Sequence, residues 1–294
     1  MAGRFTSQLR QMMTIPSPTF QQECELMSTT TSTTLRAEGV SIRFGGVQAL
    51  NKVSMDAQPG QITGLIGPNG AGKSTMLGCI SGTLDQNEGT IFVGDTSIGK
   101  TTPQKRASMG MARTFQGPQL VTELTVREHV VLANRAGKQV RAGRGVAALN
   151  FLVALIPFFS RGISKDEIAN ADALLDELGL GKDKDKGPSD LTLGQRRLLE
   201  VAICLATNAK IMLLDEPSAG LDRSETENLG EMIKKLARER NITIVLVEHD
   251  LDLVFGICDR VFVLDFGQLI DSGTPAEMRA SKAVQAAYLG TVED

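Results

Sequence analysis

The sequence predicts an α/β fold built on a parallel sheet, with a helical piece inserted before its last third. Strand and helix patterns alternate through that last third. Two short continuous apolar runs there, Ile211 to Leu214 and Thr243 to Val247, have the character of strands buried on both faces. Nearer the start, a glycine-rich loop joins an apolar strand to a helix, and such alternation marks a parallel core.

The elements follow in order. Residues 1–34 carry Ser28-Thr29-Thr30-Thr31-Ser32-Thr33-Thr34, Pro16 and Pro18 without sustained periodicity, which predicts a disordered tail; Met27 is a candidate natural start. From Leu35 the pattern is globular: Val40-Ser41-Ile42-Arg43-Phe44 alternates as a half-buried strand, and Val53-Ser54-Met55 continues the sheet. Ile62 to Ile66 is an apolar strand feeding the glycine-rich loop, with a helix from Ser74 and another strand at Gly89 to Val93. Residues 120–190 read as mostly helical; Leu174, Leu175 and Leu178 share one face, and Lys182-Asp183-Lys184-Asp185-Lys186 closes the segment as a solvated turn. Leu229, Met232, Ile233 and Leu236 fall at i, i+3, i+4 and i+7, an amphipathic helix packing on the sheet. Val261 to Leu264 and Gln268 to Ile270 flank Asp265-Phe266-Gly267 as a hairpin. No internal repeat is present.

Composition narrows the class. Hydrophobic residues at 41% and charged residues at 22% suit a globular domain of 294 residues. A net charge of −3 supplies no global basic field, which argues against a nucleic-acid partner such as DNA-repair or ribosome-bound ATPases have. Cys24, Cys79, Cys204 and Cys258 lie far apart, and the two histidines, His129 and His249, stand at no ligand spacing, so a zinc site or disulfide framework is not expected. The cysteines in apolar stretches read as small buried hydrophobes. The longest apolar run, Val146 to Phe159, is broken by Asn150 and Pro157 and falls short of the roughly 20 residues a membrane helix needs. Nor does the N-terminus hold the apolar stretch of a secretory signal. A cytosolic chain that reaches a membrane from outside, or through a partner, is expected.

Gly67-Pro68-Asn69-Gly70-Ala71-Gly72-Lys73-Ser74 matches GxxxxGK[ST] between a predicted strand and a predicted helix, the context the P-loop requires. Its glycines let backbone N–H groups wrap phosphates at a helix N-terminus, Lys73 offers a mobile cation, and the Ser74 hydroxyl is a Mg²⁺ ligand. Thr75 follows on the same helix start and joins the nucleotide-binding set. The apolar run ending in Asp215-Glu216 delivers one carboxylate to the metal shell and a second, Glu216, to the attacking water as general base.

Those two motifs suit any P-loop NTPase; the class rests on what accompanies them. Leu191-Thr192-Leu193-Gly194-Gln195-Arg196-Arg197 resembles the ABC signature LSGGQ, with Thr192 keeping the hydroxyl, Gly194 the close backbone approach and Gln195 the amide, while Leu193 departs from the usual glycine. Phe44 stands where an aromatic stacks on adenine, its alternative being a core strand residue. Gln116, in Arg113-Thr114-Phe115-Gln116, matches the Q-loop that contacts Mg²⁺ and water and links to the permease. Ser218-Ala219-Gly220-Leu221-Asp222 matches the D-loop, and His249 after Val247-Glu248 matches the switch histidine that holds the γ-phosphate; His129 reads as structural.

Over residues 35–290 the chain thus resembles ABC transporter ATP-binding subunits, most of all those of branched-chain amino acid importers and their urea/amide relatives. The finer likeness rests on Arg113 to Gln116 with Glu123-Leu124-Thr125-Val126, the long helical insertion, and the tail Gly273-Thr274-Pro275-Ala276-Glu277 ending in Ala287-Tyr288-Leu289-Gly290. The resemblance implies a RecA-like α/β core with an antiparallel β-subdomain and a helical subdomain near 118–195 within a domain spanning 35–294. It also implies ATP and Mg²⁺, the metal on Ser74, Gln116 and Asp215, with catalysis by Glu216, His249, Lys73 and Gln116. Expected partners are a second ATP-binding subunit, identical or homologous, whose signature faces this P-loop, transmembrane permease subunits, and indirectly a solute-binding protein. The competing reading is a soluble ABC ATPase without a permease; tandem cassettes, coiled coils or zinc insertions would mark it, and none is seen. Val146 to Phe159 follows the bases Arg135, Lys138, Arg141 and Arg144, and has two readings: a packed subdomain core with the bases facing water, or a surface for the permease or membrane using Phe151, Phe158 and Phe159.

Overall fold

Leu35–Phe44 (β1) and Val47–Ala57 (β2) pair antiparallel across a tight turn, Phe44 opposite Val47. Next come Ile62–Ile66 (β3), the loop, and Lys73–Ser81 (α1), then Glu88–Val93 (β4), Thr96–Ser97 (β5), Pro103–Ser108 (α2) and Met111–Arg113 (β6). The helical stretch holds Val126–Arg141 (α3), Lys165–Glu177 (α4), two short 3₁₀ turns, and Leu193–Ala206 (α5). The chain then alternates through Ile211–Asp215 (β7), Arg223–Glu239 (α6), Thr243–Val247 (β8) and Leu251–Ile257 (α7). Arg260–Asp265 (β9), Gln268–Gly273 (β10), Pro275–Ala280 (α8) and Lys282–Leu289 (α9) complete it. The computed structural model describes residues 33–114, 120–141 and 162–289.

Two sheets result. One is antiparallel in the order β2-β1-β4-β5; the other runs β10-β9-β3-β8-β7-β6, parallel except for the β9–β10 hairpin. Every residue of β3, β7 and β8 is buried, because the large sheet is covered on both faces. The period-2 alternation of strands divides them cleanly. Leu65, Ile211, Leu213, Val245 and Val247 face α1 and the antiparallel sheet; Ile62, Ile66, Met212, Leu214, Ile244 and Leu246 face the helices. Burial of each such side chain contributes about 1.5–3 kcal/mol. All the parallel strands therefore end on one edge, and that edge carries the P-loop, Asp215 and Glu248.

The expected hairpin and amphipathic helix are present, as β9–β10 and α6, with Leu229, Ile233 and Leu236 buried. The turn at 182–186 is not simply solvated. Asp183 is buried and bonded to Lys186, while Lys184 pairs with Asp172, which also takes Arg127. Of the described bases of α3, Lys138 and Arg141 are exposed, Arg141 also donating to the Thr207 carbonyl, while Arg135 is half-buried and forks onto Glu167 and the Gly162 carbonyl. Their spacing showed a helix face but not the carbonyls and carboxylate that α4 and α5 bring to it. Sheet contacts also reach back to the end of the segment 1–34: the Thr243 hydroxyl donates to the Thr33 carbonyl, and Gly94 N–H to the Thr34 carbonyl. The rest of that segment, together with Gln116 and Val146 to Phe159, lies outside the described residues.

Candidate active site

The loop from Gly67 to Gly72 is shaped by backbone crowding. Gly67 has φ +148°, and a Cβ there would sit 2.0 Å from the Leu264 carbonyl oxygen. Gly72, at φ +105°, would put its Cβ 2.7 Å from the Ala49 carbonyl oxygen. Only glycine fits either place. The loop is thus wedged between β9 and β2, and the turn after β9 braces it: Gly267 N–H donates to the Ala71 carbonyl at 3.0 Å. Helix α1 starts with no side-chain cap, so its leading amides are free for an anion. At its other end the buried Arg106 donates to the Ile80 carbonyl at 2.6 Å and to Cys79, supplying the positive charge the last turn lacks.

Lys73 is buried with its ammonium folded onto the loop, donating to the Gly67 and Pro68 carbonyls at 2.7 and 2.9 Å. Burial lowers its pKa, opposed by Glu216 and Asp215. Both bonds join the ammonium to neutral acceptors, which phosphate oxygens outbid. Ser74 stands exposed and Thr75 half-buried beside it, with Asn69 and Gly70 at the open tip.

Strand β7 delivers Asp215, whose side chain is only 4% exposed. Its Oδ2 accepts from Arg113 Nη2 at 2.9 Å, while Oδ1 is buried without a hydrogen-bond partner. Glu216, next along, sits at φ +50°, a left-handed conformation that costs a non-glycine residue about 1–3 kcal/mol. Its N–H donates to the Val247 carbonyl at 2.9 Å, which fixes the turn to neighbouring β8. The product of that turn is a carboxylate whose Oε1 lies 2.6 Å from His249 Nε2, within hydrogen-bond distance. One residue earlier, Glu248 is buried and accepts from Ser218 N–H at 2.8 Å and His249 N–H at 3.1 Å, joining the segment after Glu216 to the histidine loop. Burial pushes its pKa up, against the hydrogen bonds from Ser218.

The signature segment is built separately. Thr192 caps α5: its Oγ1 accepts from Gln195 N–H at 3.2 Å and its N–H donates to Gln195 Oε1 at 2.9 Å. The other end of that amide donates to Asp183 Oδ2 at 2.8 Å, so the supposed solvated turn holds the signature glutamine. A Cβ on Gly194 would lie 3.0 Å from Glu225 Oε1, and one on Gly220 would lie 2.9 Å from Leu193 Cδ2. The residue that departs from the usual glycine therefore packs over the glycine of the D-loop, and Arg197 donates to the Ala219 carbonyl. Among the described residues no hydrogen bond joins 67–75 to 192–195.

The structure thus brings Lys73, Asp215, Glu216 and His249 to one sheet edge, with Ser74 on the helix beside them, and leaves Thr192, Gly194 and Gln195 in a second cluster. Phe44 is 48% exposed at the end of β1, so it is not a core residue. His129 is structural: buried, accepting from Val121 N–H on Nε2 and bonding Thr125 O through Nδ1. Four residues with structural claims on these clusters carried no role in the sequence: Arg113, Asp183, Glu248, and Tyr288, whose phenol has its pKa raised by burial and lowered in part by the Gly67 backbone. The signal for Tyr288 was its place in the tail motif; the others answer to partners distant in the chain.

The donor set fits a hard cation. No group of three or more His, Cys, Asp or Glu among the described residues could hold a metal alone. One carboxylate with a spare, buried oxygen and a hydroxyl at the helix start suit an ion that keeps waters and shares substrate phosphates.

Comparisons agree with this geometry. Residues 50–219 match the family model described as ABC transporter, and residues 270–294 one described as branched-chain amino acid ATP-binding cassette transporter. The chain is 39% identical over 256 residues to the high-affinity branched-chain amino acid transport ATP-binding protein LivG of Escherichia coli, covering 87% of this chain and 97% of that one. It is 36% identical to BraF of Pseudomonas aeruginosa, with the same coverage, and 33% identical to a probable LivG of Methanocaldococcus jannaschii over 83% of this chain and 90% of that one. Among solved structures, an ATP-binding cassette of an ABC transporter in its ADP conformation superposes with TM-score 0.76 at 30% identity, covering 89% of this chain and all of that one.

Proposed function

Because the chain belongs to the ABC transporter family, as one of its ATP-hydrolysing cassettes, we propose that it powers an importer of branched-chain amino acids or a related small polar solute. The contact of His249 Nε2 with Glu216 Oε1 at 2.6 Å carries the catalytic part of this reading. It supports a general base in Glu216 and a γ-phosphate ligand in His249, side by side at the ends of β7 and β8. ATP enters with adenine on Phe44 and phosphates on Gly67 to Thr75; Lys73 leaves its loop carbonyls for the phosphates. Glu216 takes the proton of the attacking water, a role that contributes about a hundred- to ten-thousand-fold. Ser74, Gln116 and Asp215 would hold Mg²⁺, which when bound neutralises charge on the β- and γ-phosphates.

The separation of the two clusters supports a site completed by a second cassette, whose Thr192, Gly194 and Gln195, or their equivalents, close over the γ-phosphate. The match of residues 270–294 supports the solute class. No helix of the described residues is long and apolar enough to cross a membrane, so transport requires permease subunits, reached from the cytoplasmic face. A groove of about 310 Å³ suits a short permease helix: Ala112, Ala136, Gly137, Val140 and Ile203 give it an apolar wall. A solute-binding protein serves the permease from the other side.

The test is reconstitution with the candidate permease and solute-binding protein in proteoliposomes loaded with ATP and Mg²⁺. ATP-dependent uptake of labelled leucine is expected. A cassette that hydrolyses ATP yet is retained by no membrane partner, or an assembled transporter that moves no branched-chain amino acid, would overturn the corresponding part.

A further inference from the structure

The groove and the catalytic edge share a residue. Arg113 lines the groove together with Ser81 and Thr83. Its guanidinium donates to Ser81 Oγ at 3.0 Å through Nη1 and to Asp215 Oδ2 at 2.9 Å through Nη2. Ser81 closes the helix that the P-loop opens, so one side chain spans the groove wall, the end of α1 and the end of β7. The backbone follows the same path. Thr114 N–H donates to the Leu213 carbonyl, and Asp215 N–H donates to Thr114 Oγ1 at 3.1 Å. Strand β6 is three residues long and pairs on one side only, with β7, so it is the edge of the large sheet most easily displaced.

We propose that Arg113 is a positioning residue that couples the groove to Asp215: what fills the groove sets the guanidinium's grip on the carboxylate, and that grip sets the affinity for Mg²⁺. With the side chain of Asp215 4% and that of Arg113 14% exposed, water screens their attraction little. A guanidinium on Oδ2 withdraws negative potential from Oδ1, the oxygen without a hydrogen bond, and opposes a cation there. An occupant that draws Arg113 toward the groove strengthens Asp215 as a ligand; one that presses it inward weakens it. This gives the bound permease a route to the catalytic edge without touching nucleotide. It rests on the groove being the permease site, although the Arg113–Asp215 half stands without it.

The test reads Mg²⁺ dependence of nucleotide binding, not turnover. Titrating Mg²⁺ into the purified full chain with a fluorescent, non-hydrolysed ATP analogue, Arg113→Met should shift half-saturation to lower Mg²⁺ by about tenfold, the scale on which an adjacent charge alters a carboxylate. Arg113→Lys, which restores the charge, should return most of the shift. Ser81→Ala removes a groove-side anchor of the guanidinium and leaves it to Asp215, so it should give a smaller shift of the opposite sign, and it serves where Arg113→Met fails to fold. Unchanged Mg²⁺ dependence in folded Arg113→Met and Ser81→Ala, or a shift against the stated sign in either, overturns the proposal. In the assembled transporter, permease should move the Mg²⁺ dependence of the wild type and leave that of Arg113→Met where it was. A permease that binds but moves neither overturns the coupling. Absence of any permease binding overturns the transport reading, while the shifts in the isolated chain still decide the Arg113–Asp215 link.

Discussion

The phosphate end and the signature end of this molecule are both helix N-termini, yet they are held in opposite ways. At Gly67 to Lys73 the backbone itself is the device: α1 has no capping side chain, and Gly72 fits against the Ala49 carbonyl only because it lacks a Cβ. At Thr192 to Gln195 the helix start is fully capped, and side chains from remote segments hold it: Asp183 on Gln195, Leu193 over Gly220, Arg197 on Ala219. An uncapped start leaves amides for a ligand belonging to the same chain. A capped one, steadied from outside, serves as a rigid face to present to something else. That contrast supports the proposed site, shared between two cassettes.

Three substitutions sharpen the contrast, in falling order of effect. Gly72→Ala places a methyl 2.7 Å from a backbone oxygen at a φ that side chains avoid. It should cost several kcal/mol, about the scale of strained backbone plus overpacking, and abolish ATP binding. Calorimetric titration of a folded Gly72→Ala protein with near-normal affinity would show that the loop is not backbone-determined. Asp183→Ala strips acceptors from Gln195 and Lys186 and should lower stability by about 1–2 kcal/mol. Nucleotide affinity of the single subunit should stay normal while ATP-induced dimerisation weakens, and Asp183→Asn should recover most of it. Loss of affinity in the monomer would mean that the two ends are not independent. Tyr288→Phe removes the phenol oxygen that interacts with the Gly67 backbone and should weaken ATP binding by about 1 kcal/mol or less; a larger loss would make the C-terminal helix part of the phosphate site.

The same contrast explains what could be read from the residues alone. The P-loop, Asp215-Glu216 and the signature are contiguous, and contiguity is what a linear pattern records. The parallel core was legible too, because β7 and β8 are buried on both faces and so carry unbroken apolar runs. Asp183 was hidden in a charge run that has the composition of a solvated loop; its burial comes from Gln195 meeting it across two turns. Arg113 stands three residues before Gln116 in the sequence, and nothing local indicates that its partner lies 102 residues away on β7. Glu248 belongs with these, a carboxylate whose purpose is visible only once Ser218 stands above it. For Phe44 the structure removes one of its two readings, the core strand residue, since it is half exposed at the end of β1.

Glu216 is proposed as the general base at a nucleotide site that a second cassette completes. Glu216→Gln keeps the shape, the left-handed turn and a polar contact for His249, and removes the basicity. Measured in the assembled transporter, ATP affinity should stay within about twofold of the wild type. Turnover should fall by about a hundredfold or more, with ATP retained in a closed dimer of cassettes. Turnover near the wild-type rate in that variant, with ATP affinity unchanged, would remove Glu216 from its role and contradict the account.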